Sequence, residues 1–534
     1  MQIINNITKF RAMKRVIGTL IMLLLLAPAV LFAQDNEAIV RKTEQYAKEV
    51  MKQWQIPGMA ISIVKDGKMI YSKGLGVKEM GKKDAVNPNT LFQIGSVSKS
   101  FTAAVMASLV DEGKVKWEDT VKNILPDFKL YDKWVEENLQ VKDIMTHRSG
   151  LQGQLGTYIP NMGYERDDLY NMLPLLKPKY SLRGSYEYNN ITFLIASKII
   201  EKLTGKSWDQ NVRERIFIPL GMSSSHTTGE EFAAADYAST PHEFVYKKGK
   251  MLTDSTWNDS VAVNPLYDDE QALHWLTVIG PAGSISSTAN DMAKYTLFHL
   301  NKGMIDGKQV ISREQAEFLR RGHTITSQDS SRITLYGHCW FIEQNSRYRV
   351  IFHTGTTWGF TTLCAYIPEM DLGITILVNS EAPAFPRYAI MRRMVDLYKG
   401  FPDKDYNTIF YNEWLTSARK GMRTADKKEA ETESSPAPLS TKLTGIYDRG
   451  ELFGKAVVTL EDVKESKPEL YITVGPKGWK SKLTHKNGGE YRFRMGGNEF
   501  KVTFIIDKES GNCTGLDMNF GYTENFGIWK KSSK

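Results

Sequence analysis

A lysine set inside an apolar helix constrains this chain more than any other feature. The stretch Phe92 to Ala104, FQIGSVSKSFTAA, opens on Gly95 and Ser96, places Lys99 three residues on, and continues in apolar residues at helical spacing. A helix predicted over 97–112, with Gly113 as its stop, must bury most of its surface. Burial disfavours an ammonium and pulls a lysine towards the neutral amine. Positions i and i+3 share a helix face, so Lys99 falls beside Ser96. Free N–H groups at the helix start favour negative charge developing on that serine. The stretch reads either as a nucleophile with its base one turn away or as a serine N-cap followed by an exposed lysine.

The Ser-x-x-Lys spacing occurs three times, as Ser62–Lys65, Ser96–Lys99 and Ser417–Lys420. Ser62 lies in an alternating strand, where i and i+3 point to opposite faces. Ser417 lies in a polar run without an apolar helix to hold it. Only Ser96 stands at the start of such a helix.

Two further motifs join it. Tyr188-Asn189-Asn190 opens a helix predicted over 190–204 and ended by Gly205. A phenol there can relay a proton, and an amide can hold an amine or a carbonyl. Local packing of the tyrosine with Asn190 as an N-cap is the plainer reading. His353-Thr354-Gly355-Thr356 follows the strand YRVIF, and a strand-end turn is the plainer reading of it.

Ser96-x-x-Lys99, Tyr188-x-Asn190 and His353-Thr354-Gly355, in this order at element ends, together resemble the serine beta-lactamase and penicillin-binding-protein superfamily. The likeness is to its class C beta-lactamase-like branch, with D-amino-acid peptidases and esterases. DIMTHRSGL (143–151), PAGSISSTANDMAKY (281–295), YGHCWFIE (336–343) and HTGTTWGF (353–360) share its style, and the resemblance spans about residues 36–400. It implies an antiparallel sheet flanked by helices plus a mainly helical subdomain, an α/β architecture of the beta-lactamase/transpeptidase type.

Ser96 would then be the acylated nucleophile. Lys99 and Tyr188 would share the base and acid work, and Asn190 would orient Lys99 and the substrate amide. His353, Thr354 and Gly355 would line the substrate, and the backbone N–H groups of Ser96 and Thr356 would form the oxyanion hole. One departure stands out. Beta-lactamases of this branch carry lysine where this chain has His353, and a histidine is mostly neutral near pH 7. The His-x-Gly version resembles D-aminopeptidase-like and related hydrolases more than dedicated beta-lactamases, which implies that antibiotic hydrolysis is not efficient. His147 reads as a loop residue bonded to backbone, with a base as the alternative, and Trp358 as core or as a substrate platform.

With 534 residues the chain needs two domains or three. The hydrolase domain is expected over 34–423. Inside it, 36–53 reads as an amphipathic helix, 58–77 as a hairpin turning at Asp66-Gly67, 206–285 as a long irregular wall or lid, and 336–380 as an antiparallel meander followed by a helix over 385–400. Residues 424–440, TADKKEAETESSPAPLS, read as a linker. Beyond them, 441–534 hold about eight short alternating runs, the pattern of a small antiparallel barrel resembling the lipocalin-like domains appended to such hydrolases.

Residues 1–33 carry Lys9, Arg11, Lys14 and Arg15 without an acid, then the apolar run Val16 to Ala33. This reads as a signal peptide cleaved near Ala33–Gln34, for a periplasmic or secreted protein with no stable membrane span afterwards. An uncleaved anchor is the alternative. The net charge of +8 falls to +4 without those four residues, which gives no argument for nucleic acid. Three cysteines, Cys339, Cys364 and Cys513, make no disulfide framework and are expected as buried thiols, with a meeting of Cys339 and Cys364 on neighbouring strands as the alternative. Nine scattered histidines show no metal-ligand spacing, so no cofactor or metal is expected.

The partner expected is a small-molecule or peptide substrate, with a homo-oligomer possible. The function expected is an exported serine hydrolase acting through an acyl-enzyme on D-amino-acid peptides or cell-wall-derived fragments. The alternatives are a promiscuous esterase or weak beta-lactamase, and a catalytically silent protein binding muropeptides or beta-lactams.

Overall fold

The computed structural model describes residues 36–245, 260–264, 269–431, 435–450, 453–463, 467–519 and 527–532. The expected signal peptide lies outside the described residues, as does the stretch 246–259 within the expected wall. Among the described residues no helix is long and apolar enough to cross a membrane.

An eight-stranded antiparallel sheet forms the centre. Its order is Lys68–Gly76, Gly58–Lys65, Leu372–Val378, Phe360–Ile367, Arg349–Thr357, Phe341–Asn345, Arg332–Tyr336 and Thr324–Gln328. The first pair is the expected hairpin. Asp66 and Gly67 both take positive φ, +51° and +74°, which matches the twist of the strands they join.

The inner strands are buried on both faces, and their alternation sorts side chains into two cores. Met59, Ile61, Ile63, Ile374 and Ile376 pack against Val50 of the helix over 36–53, against Trp54 in the turn after it, and against Ile390 and Met394. Ala60, Val64 and Leu377 face the other way, into the core holding Phe101, Met106 and Tyr295. Each such aliphatic contributes about 1.5–3 kcal/mol by burial.

The helical part supplies the second wall. Helix Ser98–Asp111 is buried from Ser98 through Leu109, as its composition requires. Helix Thr192–Thr204 stops at Gly205, with φ +69°.

Two expectations need correction. The region 206–285 is not simply irregular, for it contains the short helices Trp208–Val212, Gly229–Ala234 and Glu270–Val278. Capping bonds at Ser207, Thr228 and Asp269 start them. Tyr336 to Trp340 is not the start of a continuous strand. The strand ends at Tyr336 and a turn follows, with Cys339 at φ +66°. All three cysteines are free and buried.

Helix Tyr406–Glu431 runs into the segment expected as a linker. Beyond it, nine strands form a second antiparallel sheet. Its two end strands, Trp479–Lys482 and Thr484–Asn487, are consecutive in the chain, and Arg494 N–H donates to Ser481 Oγ at 3.1 Å, so the sheet is a nearly closed barrel.

The barrel docks on the helical part through turns that approach its backbone. A Cβ on Gly475 would stand 1.7 Å from the Met162 carbonyl oxygen. Tyr164 Oη donates to the Phe453 carbonyl at 2.8 Å, and Lys477 Nζ lies 3.3 Å from a Glu165 carboxylate oxygen.

Candidate active site

Ser96 sits in the single turn Gly95–Val97 that leads into helix Ser98–Asp111. The capping position of that helix is Val97, and no side chain caps it, so Ser96 is not its N-cap. The Ser98 hydroxyl fixes the turn instead, donating to the Gly95 carbonyl at 2.7 Å and accepting from Ile285 N–H at 3.0 Å.

Lys99 Nζ donates to Ser96 Oγ at 3.0 Å and to the Ala282 carbonyl at 2.8 Å. Its side chain is fully buried, 4.7 Å from the Tyr188 ring centre and 5.3 Å from that of Phe193. Burial pulls its pKa down to about 7, so the neutral amine is well populated near neutrality. The Tyr188 hydroxyl is hydrogen-bonded to Ser96, and burial pushes its pKa above the usual tyrosine value, which keeps the phenol protonated. An amine ready to accept a proton and a phenol ready to donate one thus meet at a single hydroxyl.

The strand Arg349–Thr357 closes against this group. Gly95 takes φ +51°, and a Cβ on it would lie 2.6 Å from the Thr356 nitrogen. A Cβ on Gly355 would lie 1.8 Å from the Ile94 carbonyl oxygen and 3.0 Å from the Ser96 nitrogen. Two glycines therefore let the strand backbone rest on the helix entrance and bring the backbones at 96 and 356 together.

His353 is buried in that strand. Its Nε2 lies 3.1 Å from the Tyr336 hydroxyl and its Nδ1 lies 2.6 Å from the Thr354 carbonyl. The carbonyl requires the proton on Nδ1, and the hydroxyl then donates to Nε2. Burial, with Lys99 nearby, pulls its pKa down to about 3, so it carries no charge at neutral pH.

Asn190 departs from its expected role beside Lys99. Its Nδ2 bonds Gln154 Oε1 at 3.1 Å and Thr157 Oγ1 at 3.3 Å, and the Ala282 carbonyl holds the lysine instead. Asn190 is not an N-cap either, since the Thr192 N–H is accepted by Asn189 Oδ1.

Ser96, Tyr188, Asn190, His353, Thr354 and Thr356 all line one cleft of about 580 Å³. Trp358 also lines it, half-buried and edge-on to Trp275 at 4.3 Å, so it is not core. Residues that sequence reasoning did not assign to the site complete the walls: Gln154, Thr157, Tyr158, Trp275 and Asn498. Trp275 lies in the region expected as a binding wall. Asn498 comes from the barrel, at the start of the strand Asn498–Ile506 after a turn whose Gly496 N–H donates to Gln271 Oε1 at 2.9 Å, and nothing local in the sequence marks it. Among the described residues that line the cleft, none is an acid, a lysine or an arginine.

A sheet with helices on both faces and a buried lysine on a serine at a helix entrance, closed by an antiparallel strand, defines a class that the comparisons identify. The Beta-lactamase family matches residues 43–398, more than half of the chain, and the chain belongs to that family within the beta-lactamase/transpeptidase-like superfamily. It is 29% identical over 421 residues to an unguisins hydrolase of Aspergillus campestris, spanning 76% of this chain and 74% of that protein. It is 27% identical over 335 residues to penicillin-binding protein 4 of Amycolatopsis lactamdurans, spanning 61% of this chain and 81% of that one. The octameric penicillin-binding protein homologue from Pyrococcus abyssi shares the fold, with a TM-score of 0.58 at 22% identity over 90% of this chain and 98% of that chain.

Proposed function

We propose that this protein is an exported serine hydrolase, periplasmic or secreted, that forms an acyl-enzyme on Ser96 and cleaves amide or ester bonds in D-amino-acid peptides or cell-wall-derived fragments. The observation that carries the reading is Lys99 Nζ, fully buried and 3.0 Å from Ser96 Oγ. In the neutral amine the bond reverses, and the serine hydroxyl donates to the nitrogen lone pair. As Oγ attacks the substrate carbonyl, Lys99 takes its proton. The backbone N–H groups of Ser96 and Thr356 face the oxyanion, and each such donor is worth about 3 kcal/mol in the barrier.

When the carbonyl–leaving-group bond breaks, Tyr188 passes its proton to the departing nitrogen or oxygen and recovers one from Lys99. Water then attacks the acyl-enzyme by the reverse of these transfers, releasing the acid and restoring the serine. The test is labelling with a fluorescent phosphonate and peptide mapping. Label on Ser96, lost in Ser96→Ala, is expected; label on another serine would dismiss the reading.

The uncharged cleft favours a second reading, a promiscuous esterase. A substrate carboxylate would find no cationic side chain among the described lining residues. It would also stabilise the ammonium of Lys99 and so remove the base. Comparing p-nitrophenyl esters with D-Ala p-nitroanilide separates the two: a kcat/KM larger for the esters supports the esterase, and one larger for the anilide supports the peptidase.

A further inference from the structure

The hydroxyl of Tyr188 works only if the short stretch carrying it is held still, and one residue outside the three motifs grips that stretch on both sides, with its backbone carbonyl on one and its ring on the other. His147 lies in the loop after the helix Val141–Ile144, buried, at φ +54°. Its carbonyl accepts from the Glu187 N–H at 2.8 Å. Its ring Nδ1 accepts from the Asn189 N–H at 3.1 Å. Residues 187 and 189 flank Tyr188, and the imidazole itself rests against the Tyr188 ring, with centroids 4.2 Å apart. The Tyr188 carbonyl is tied separately, accepting from the Gln154 N–H at 2.9 Å. Because Nδ1 accepts, its lone pair must stay free of a proton, and the single ring proton sits on Nε2.

We infer that His147 is a positioning residue for the proposed hydrolase reaction, clamping Tyr188 through the backbone on either side of it and holding the phenol at Ser96. It touches neither the nucleophile nor the cleft. The role belongs to the acceptor at Nδ1 and to a backbone position that tolerates positive φ. Histidine and asparagine are both enriched in that conformation, and Asn Oδ1 falls near the place of His Nδ1. Alanine loses the acceptor, and phenylalanine keeps a ring without one.

The inference rests on the reading of Ser96 as an acylated nucleophile, and the experiment separates the two. In the full-length protein, phosphonate labelling fixes the fraction of competent enzyme, and ester turnover is normalised to it. His147→Ala and His147→Phe should lower kcat about 100-fold with KM nearly unchanged, the scale of a displaced catalytic group. His147→Asn should recover at least about a tenth of the wild-type kcat, since it restores the acceptor. In a Tyr188→Phe background His147→Ala should add less than about a threefold further loss, because the group it positions is gone.

An additive loss in that background, or His147→Asn as impaired as His147→Ala, overturns the clamp. If His147→Ala does not fold, His147→Phe takes its place in both comparisons. Unlabelled Ser96 in the wild type would instead overturn the acyl-enzyme reading itself.

Discussion

Ser96–Lys99 and Ser417–Lys420 carry the same spacing, and each pair lies at a helix. The first lies where a strand, a second helix and an aromatic layer close over the lysine, leaving it fully buried. The second lies on the outer face of helix Tyr406–Glu431, with both residues exposed. Spacing alone puts a hydroxyl and an amine on one side of a helix. It does not make one a base for the other. What distinguishes the first pair is that folding removes water from the amine, and the proton then leaves it near pH 7.

The comparison breaks most readily at the serines. Ser96→Ala should abolish turnover, by at least about 10⁴-fold, while Ser417→Ala leaves it unchanged; stopped-flow ester hydrolysis reads both. Equal effects at the two positions would end the distinction.

The lysines sharpen it. Lys99→Met should slow acylation by about 10³-fold, in the range of a lost general base, with Lys420→Met at the wild-type rate. In the wild type, acylation should rise with pH through about 7, as Lys99 loses its proton, and flatten above. A limb centred near the ordinary lysine value would contradict burial as the cause.

Lys99→Met should also stabilise the fold. The unfolded chain keeps this proton up to the ordinary lysine value of 10.5, and the folded protein releases it near 7. The unfolded state therefore binds the extra proton between those values, and wild-type stability rises with pH across that window. The advantage of the methionine is greatest below pH 7, above about 1 kcal/mol, and shrinks towards pH 10. Chemical denaturation at pH 6 and pH 9 checks the sign.

Tyr188→Phe should cost about 100-fold in acylation, less than the loss of the base. The smallest effect belongs to the barrel. Gly475→Ala puts a methyl against the Met162 carbonyl at φ +73°, and should cost about 1–3 kcal/mol in a thermal melt while leaving Ser96 labelled.

Much of the molecule is legible in its residues because the signals are local. Alternation gave the sheet and the barrel strands, Asp66-Gly67 gave the hairpin turn, and the apolar run after Lys99 gave the buried helix. The parts that escaped depend on distant contacts. Helix Glu270–Val278 is only nine residues long, and its Trp275 is held by Trp358 and by the Thr157 carbonyl, which Nε1 reaches at 2.7 Å. The aromatic run around Cys339 has strand composition, yet a left-handed residue ends the pleat there. Asn190 looked like the lysine's partner from its motif, but its Nδ2 donates to Gln154 and Thr157, and Lys99 donates to the Ala282 carbonyl instead. Asn498 reaches the cleft only because the barrel packs where it does.

The meeting of Gly95 and Gly355 has a consequence for altering this protein. The gap between Ser96 and the strand is set by two absent methyl groups, and restoring either would press a methyl into the facing backbone, 2.6 Å away at Gly95 and 1.8 Å away at Gly355, so that one backbone must shift. A directed-evolution library aimed at new substrates should therefore keep both glycines constant. It should spend its diversity on the rim, at Trp275, Trp358 and Asn498, where a changed side chain reshapes the chamber without moving the machinery beneath it.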